Sequence, residues 1–249
     1  MKSLMISIGN FLFKYRNQVF PILIVALFLS AAPATEMFGS GRLENATDIV
    51  AWLVAISGLT FRATVIGYAY IQRGGLNKKV YAKNLVTEGM FRICRNPLYV
   101  GNVLIYSAVF VMHGNPVVTA VGILLFSFMY QCIVYAEEAF LEGKFGDGYM
   151  AYCADVPRWI PRFGKFSQAT ESMNFNFKRV VAKDYSTAFA TLITLLLAQI
   201  YEHAAGSVSH SDARYLSILI ALIVLAGIAT AFTSQLKKRG VLSDKKTAE

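Results

Sequence analysis

Six stretches of the chain are largely apolar, and shorter polar segments separate them. They cover residues 19–35, 49–71, 97–112, 117–136, 185–203 and 215–235. Most of them approach the roughly 20 residues that a helix needs to cross about 30 Å of hydrocarbon. Because a helix satisfies its own backbone polar groups in a bilayer, the pattern predicts an all-α fold. We expect a polytopic transmembrane helical bundle of about six membrane helices, with interfacial helices between some of them.

Local signals suggest where several helices begin and end. Residues 1–18 are interpreted as an amphipathic lead-in, and Pro21 is expected to begin the first membrane helix. Asp48 is a plausible N-cap for the second. Gly114-Asn115-Pro116 is a tight turn signal between the third and fourth segments, which makes those helices antiparallel neighbours.

Charge orients the predicted bundle. The chain has 249 residues, of which 55% are hydrophobic and 16% charged, and its net charge is +9. Nearly all lysines and arginines fall in residues 1–18, 72–96, 137–184 and 236–249, which share one face if all six segments cross. The positive-inside rule makes this face and both termini cytoplasmic, in a bacterial inner membrane or the endoplasmic reticulum membrane. A basic face also suits anionic head groups, so no nucleic-acid partner is expected.

Cysteine and histidine positions do not suggest a metal site. Cys94, Cys132 and Cys153 are odd in number and widely spaced, and neither a CxxC pair nor an HExxH pattern occurs. The three histidines lie near the opposite face of the predicted bundle. We therefore expect neither a disulfide framework nor a bound metal.

Two further features leave alternatives open. Arg62 lies inside an apolar run, and intramembrane arginines are functional candidates, although an arginine near the cytoplasmic end can also snorkel to the interface. The basic loop at residues 71–79 contains Gly74-Gly75 but no phosphate-binding glycine pattern, and it is interpreted as a turn.

The third apolar segment starts with features that favour an anionic ligand. Asn96 is a good N-cap and Pro97 is favoured at the first helical position, so free backbone N–H groups and the positive end of the helix dipole lie at the interface. Arg95 adds guanidinium donors and Tyr99 a hydroxyl. Gly101 allows a ligand or a neighbouring helix to approach the backbone closely.

The fourth segment ends with two adjacent carboxylates, Glu137 and Glu138. Negative charges at a helix C-terminus oppose the dipole and repel each other, so they require compensation. The short hairpin is expected to bring them close to Arg95, Asn96 and Tyr99. We therefore predict a pocket at the cytoplasmic boundary that suits a zwitterionic ligand bearing hydroxyl groups.

At this point the sequence resembles a known family. The segments that carry the resemblance are Leu85-Val86-Thr87-Glu88-Gly89-Met90-Phe91, Arg95-Asn96-Pro97-Leu98-Tyr99-Val100-Gly101, Glu137-Glu138, Phe145-Gly146, Tyr149, Tyr152 and Val156-Pro157-Arg158. Their order resembles the core of the isoprenylcysteine carboxyl methyltransferase and phospholipid methyltransferase superfamily. The resemblance covers roughly residues 60–163.

The resemblance implies an integral-membrane methyltransferase that uses S-adenosylmethionine and acts on a membrane lipid or a lipid-linked substrate. The implied cofactor-binding residues are Val86, Gly89, Arg95, Asn96, Pro97, Tyr99, Gly101, Asn102, Glu137 and Glu138. The implied catalytic residues are Glu138, Arg95, Arg158 and Tyr99. It also implies three parts: N-terminal membrane helices (1–59), a methyltransferase core (60–163) and C-terminal membrane helices with a basic tail (164–249).

Two departures bear on the acceptor. Asn96 stands where carboxyl methyltransferases of this superfamily usually have histidine, and residues 128–132 lack the arginines that suit a prenylcysteine carboxylate. Methylation of oxygen or nitrogen remains open, as does the oligomeric state. A second hypothesis is a non-enzymatic transporter or sensor subunit, in which Arg62, Glu137 and Glu138 line a polar pathway.

Overall fold

The computed structural model describes residues 1–34, 41–68, 80–205 and 213–242, without the side chains of residues 41 and 42. Its α-helices are α1 (Lys2–Ser30), α2 (Gly41–Tyr68), α3 (Pro97–Met112), α4 (Pro116–Phe145), α5 (Asp147–Asp155), α6 (Phe166–Thr170), α7 (Phe177–Ala205) and α8 (Ala213–Lys238). Short 3-10 helices cover Gly89–Arg92 and Phe163–Lys165. Those four described ranges contain no strand, so the predicted all-α class is confirmed.

Five of these helices, α1, α2, α4, α7 and α8, are long and apolar enough to cross a membrane. Helix α3 is apolar but shorter. Together they confirm the polytopic bundle of about six membrane helices. The turn predicted at residues 71–79 lies outside the described residues.

The predicted hairpin between α3 and α4 is present. Gly114 has a φ of 74°, a conformation that glycine adopts without steric cost. Asn115 then caps α4, because its side-chain oxygen accepts hydrogen bonds from the backbone N–H groups of Val117 (3.0 Å) and Val118 (3.3 Å). This tight turn sets α3 and α4 side by side, so that α3 begins where α4 ends. Helix α4 continues beyond the predicted end at residue 136 to Phe145.

The predicted start of the first membrane helix at Pro21 is wrong. Helix α1 runs from Lys2 to Ser30 and contains Pro21 in its interior. It packs closely on α4, since a Cβ atom added at Gly9 would lie 2.0 Å from the Cys132 carbonyl oxygen. A glycine at this crossing lets the two backbones approach, so tertiary packing holds the helix together across the proline.

The predicted N-cap of the second helix is also wrong. Helix α2 begins at Gly41, and Asp48 lies inside it. Farther along, α2 crosses α3 closely at two glycines. A Cβ atom at Gly58 would be 2.8 Å from the Gly101 carbonyl oxygen, and one at Gly101 would be 2.9 Å from the Gly58 oxygen.

Two buried clusters hold the bundle together. An aromatic cluster joins α1, α3 and α4 and contains Phe20, Phe110, Phe126 and Tyr130. A cluster of small and aliphatic side chains joins α2, α3 and α7. Helix α8 packs mainly on α7 and leaves large apolar side chains such as Leu225 exposed, as expected for a lipid-facing helix. The division into three parts remains a prediction.

Candidate active site

The two helix ends that the sequence places together do meet. The Tyr99 hydroxyl, in the first turn of α3, donates a hydrogen bond of 2.5 Å to Oε1 of Glu137 near the end of α4. The Tyr99 ring also lies 5.3 Å, between centroids, from that of Tyr130 on α4. The hairpin therefore brings a phenol on α3 and a carboxylate on α4 into contact.

The neighbouring carboxylate binds two arginines. Arg158 donates two hydrogen bonds to Glu138, from Nε to Oε1 (2.9 Å) and from Nη2 to Oε2 (2.8 Å). Arg95 Nη1 lies 3.3 Å from Oε1 of the same carboxylate. The side chains of Arg95 and Glu138 are each 13% exposed, whereas that of Arg158 is 34% exposed. The hydrogen bonds that Arg158 donates to Glu138 raise the pKa of Arg158, so Arg158 stays cationic beside this carboxylate.

Arg158 reaches Glu138 because two loop segments pair side by side. We call these two segments the clamp: residues 93–96 and 157–162. The backbone N–H of Arg95 donates to the carbonyl of Pro157 (2.9 Å), and that of Arg162 donates to the carbonyl of Ile93 (3.0 Å). The clamp thus fixes the segment after α5 against the start of α3.

Asn96 precedes α3, as predicted, but its side chain does not cap the helix. Its Nδ2 instead donates a hydrogen bond of 3.1 Å to the backbone carbonyl of Arg158. The predicted capping bond is therefore wrong, because the Asn96 amide is oriented so that its Nδ2 donates to the clamp. Asn96 therefore holds the backbone of Arg158, whose side chain binds Glu138.

Helix α5 lines the site on the side of the clamp. Arg95 Nη1 donates to Sγ of Cys153 at 2.6 Å, and the Tyr152 hydroxyl donates to the carbonyl of Phe91 at 2.6 Å. Burial, together with the nearby Glu138 carboxylate, raises the pKa of Tyr149 well above its usual range. Tyr149 therefore remains a neutral hydroxyl beside Glu138.

Two buried donors at this site lack a partner among the described residues: Nε of Arg95 and Nε2 of Gln131. Oε1 of Gln131 accepts a hydrogen bond of 2.7 Å from the Trp159 indole, so the Nε2 end of the same amide points away from Trp159. Buried polar atoms are normally paired, so unpaired donors beside a carboxylate pair indicate a place for an acceptor group. This donor and acceptor set fits S-adenosylmethionine, which carries a carboxylate, an ammonium group and ribose hydroxyls.

Not every residue predicted to bind the cofactor lies at the carboxylates. Gly101 faces α2, since a Cβ atom there would be 2.5 Å from Cγ of Arg62, and the Asn102 side chain accepts a hydrogen bond from Arg62. Val86 is half-buried and Gly89 is buried in the segment before α3, where Gly89 has a φ of 58°. Pro97 is buried at the first position of α3.

Arg62 has a partner that the sequence interpretation missed. Its Nε donates to Oδ2 of Asp184 at 3.0 Å, and its Nη2 forms an ion pair with the same carboxylate. Both side chains are almost completely buried. Asp184 lies one residue outside the predicted apolar segment 185–203, and that charge at the margin of an apolar segment was the available signal. Arg62 therefore binds α7 and does not snorkel.

A second group of carboxylates also escaped the sequence interpretation. The ligand atoms of Glu44, Asp48 and Glu202 lie within 4.8 Å of one another. They belong to the start of α2 and the end of α7, whereas Gly58 and Arg62, farther along α2, lie against Gly101 near the start of α3. This group is therefore separate from Glu137 and Glu138.

Similarity to known proteins agrees with this geometry. Residues 45–148 match the phospholipid methyltransferase family. Protein-S-isoprenylcysteine O-methyltransferase B of Arabidopsis thaliana is 36% identical over 78 residues, and its counterpart in Schizosaccharomyces pombe is 38% identical over 78 residues. Residues 45–148 are therefore similar to phospholipid methyltransferases, and a shorter stretch of the chain is similar to isoprenylcysteine methyltransferases. The apolar helices and these similarities support a multi-pass membrane methyltransferase, and they do not favour the transporter or sensor hypothesis.

The extent of these similarities differs. The two isoprenylcysteine methyltransferases each align with 31% of this chain. The aligned part is 39% of the Arabidopsis thaliana protein and 33% of the Schizosaccharomyces pombe protein. The cobalt-zinc-cadmium resistance protein CzcN of Cupriavidus metallidurans is 28% identical over 165 residues, which are 64% of this chain and 70% of that protein. No solved structure is significantly similar to the chain.

Proposed function

We propose that the protein is an S-adenosylmethionine-dependent methyltransferase that methylates an oxygen or nitrogen of a membrane lipid or a lipid-linked acceptor. The observation that carries this proposal is the carboxylate pair Glu137–Glu138, which contacts Tyr99, Arg95 and Arg158 next to buried donors without a partner. The matches to methyltransferases support the reaction class.

The residues around the carboxylate pair would hold the cofactor. Glu137 and Glu138 can accept hydrogen bonds from ribose hydroxyls or an ammonium group, while Nε of Arg95 and Nε2 of Gln131 can donate to a carboxylate. S-adenosylmethionine supplies a methyl group activated on a sulfonium sulfur. The chain's own contribution is to orient the reactants and exclude water, and orientation alone can be worth roughly 7–11 kcal/mol in well-aligned systems.

The acceptor decides which side chains act on protons. For an amine acceptor, Glu138 takes up the proton directly, or the Tyr99 hydroxyl accepts it while passing its own proton to Glu137. For a carboxylate or phosphate acceptor, Arg95 or Arg158 positions the oxyanion and no base is needed. Asn96 in place of histidine favours a phospholipid-type acceptor over prenylcysteine.

The proposed topology places the site at the cytoplasmic boundary, with both termini in the cytoplasm of a bacterial inner membrane or facing the cytosol from the endoplasmic reticulum. The distribution of basic residues supports this orientation. The cofactor then arrives from the water phase, and the acceptor enters sideways from the bilayer.

Binding of S-adenosylmethionine to the purified, folded protein tests the proposal directly. We expect saturable binding by calorimetry in detergent or nanodiscs, and a folded sample that shows none would contradict the proposal. Incubating membranes that contain the protein with methyl-labelled cofactor, and then separating lipid, protein and small-molecule fractions, identifies the acceptor class. Label confined to the small-molecule fraction would contradict a lipid-linked acceptor.

A further inference from the structure

Helix α1 lies outside the segment that matches the methyltransferase family, yet it packs on the helix that carries both carboxylates. Four α1 residues recur every three or four positions and share one face: Gly9, Phe13, Arg16 and Phe20. A Cβ atom at Gly9 would lie 2.9 Å from Cβ of Ala136, and the Phe20 ring is 5.6 Å from that of Tyr130. Arg16 therefore lies on the face that packs against α4.

The direction of the Arg16 side chain follows from helix geometry. Side chains in a helix lean toward its N-terminus, and Cζ of Arg16 lies 4.9 Å from the centroid of the Phe13 ring, one turn back. Helices α1 and α4 run antiparallel, so this direction along α1 leads toward the end of α4. This direction brings the guanidinium within electrostatic range of the Tyr99 hydroxyl and the Glu137 carboxylate.

This placement divides the two adjacent carboxylates between different cations. Glu138 is bound by Arg95 and Arg158 from the loop side, and neither of these arginines forms an ion pair with Glu137. A second carboxylate in a dehydrated site stays ionised only with a cation of its own nearby. Arg16 supplies that charge from the side of α1.

We propose that Arg16 is a positioning residue of the active site, which neutralises Glu137 and orients Tyr99 from a helix outside the recognised methyltransferase core. The Tyr99 hydroxyl donates to Glu137 and presents its lone pairs to the guanidinium. Both ends of this hydroxyl are thus fixed. The inference rests on the proposed function, because the group that it positions is the proposed cofactor site.

The test compares charge with side-chain length at residue 16. Arg16→Met keeps an unbranched, apolar side chain and removes the charge, whereas Arg16→Lys restores a cation. Lys14→Met, at an exposed position of the same helix, is the matched control. We expect Arg16→Met to weaken S-adenosylmethionine binding by about tenfold or more, which is the usual size for a bond to a charged group. Arg16→Lys should stay within about threefold of the wild type, and Lys14→Met should bind like the wild type.

A readout that needs no cofactor separates this inference from the proposed function. Thermal unfolding of Arg16→Met, Glu137→Gln and the double variant forms a double-mutant cycle. We expect the loss in Tm for Arg16→Met to shrink markedly when Glu137 is already Gln, because each single change breaks the same contact. Additive losses would overturn the pairing of Arg16 with Glu137.

The binding results have distinct meanings. Wild-type binding with unchanged affinity in Arg16→Met, or equal weakening by Met and Lys, overturns the positioning role while the proposed function stands. Coupling in the cycle without any wild-type binding overturns the proposed function and reduces Arg16 to a structural partner of Glu137.

Discussion

Two arginine–carboxylate clusters lie within the bundle, and they differ in how completely their donors are used. In the first, Arg62 uses all three guanidinium nitrogens: Nε and Nη2 bind Asp184, Nη1 binds Asn102, and Nη2 also lies 3.3 Å from the Thr187 hydroxyl. In the second, Arg95 binds Glu138 through Nη1, but its buried Nε has no partner among the described residues.

This difference separates architecture from function. A buried ion pair whose groups are all satisfied fixes how helices dock, and it leaves nothing for a ligand to bind. A cluster with unused buried donors is costly unless another group completes it. We therefore expect changes in the Arg62 cluster to affect folding first, and changes in the Glu138 cluster to affect binding first.

The largest expected effect is on stability, from Asp184→Ala. This change leaves the Arg62 guanidinium buried between α2 and α3 without its counter-ion. Breaking a buried pair by removing one partner typically costs about 3–5 kcal/mol. We expect a large drop in Tm, or loss of folded protein from the membrane fraction, measured by thermal unfolding in detergent.

The double variant Arg62→Met with Asp184→Leu is the control for that prediction. Replacing both charges by apolar side chains removes the uncompensated charge, so most of the lost Tm should return. A double variant that is as unstable as Asp184→Ala would show that the pair does more than join α7 to α2.

The second effect is on binding, from Glu138→Gln. Gln keeps the volume but loses the charge that binds Arg95, Arg158 and the proposed cofactor. Hydrogen bonds to charged groups contribute about 1.5–3 kcal/mol, so S-adenosylmethionine affinity should fall by about 10-fold to 150-fold, with Tm changed far less than by Asp184→Ala. Calorimetric titration measures the affinity.

Glu142→Gln is the matched control, because Glu142 lies one turn further along α4 and is exposed. It removes the same charge from the same helix away from the cluster, and we expect wild-type affinity. Equal losses in both variants would mean that net charge at the end of α4, and not the Glu138 contacts, controls binding.

The sequence predicts those parts of the fold and site that depend on short-range signals. Asn115 and Pro116 indicate the turn, and the turn alone brings Tyr99 to Glu137. The sequence does not reveal the partner of Arg62, because Asp184 lies 122 residues away along the chain. Only the packing of α7 brings the two residues together. Arg158 likewise reaches Glu138 only through the clamp.

Local signals also mislead where tertiary packing outweighs them. Pro21 is favoured at a helix start, yet it lies inside α1, since contacts with α4 on both sides of the proline stabilise one continuous helix. Asn96 is a strong N-cap residue, yet its side chain binds the backbone of Arg158. In both cases a contact with a residue distant in sequence outweighs the local preference.

Gly101 lies on α3 between the two clusters. A smaller effect on stability is expected from Gly101→Ala. The added methyl group would approach Cγ of Arg62 and the Gly58 carbonyl. Overpacking of this kind typically costs about 1–3 kcal/mol. Because the strain falls on the α2 crossing, Tm should decrease while the folded protein keeps its affinity for S-adenosylmethionine. Reduced affinity at unchanged Tm would instead show that Gly101 contacts the cofactor.

The smallest expected effect concerns thiol reactivity within the second cluster. Cys94, in the clamp, is fully buried, and burial raises its pKa to about 11. Since the thiolate is the reactive form and only about 0.1% of Cys94 is thiolate at pH 8, Cys94 would react slowly even if it were accessible. Cys153 is half-buried, and we expect maleimide to label it first in the folded protein, with both labelled after unfolding. Peptide mass spectrometry measures the two rates.

The raised pKa of Cys94 also predicts whether stability rises or falls with pH. The folded state favours the neutral Cys94 thiol, so this contribution to stability is complete below the ordinary thiol pKa of about 8.5 and is lost as the pH rises toward 11. Labelling of Cys94 should therefore accelerate in that window as the clamp loosens, and a Cys153→Ser variant isolates the signal. Equal labelling of Cys94 and Cys153 at pH 8 in the folded protein would mean that the clamp opens readily, and that Arg158 is not held against Glu138 by its backbone.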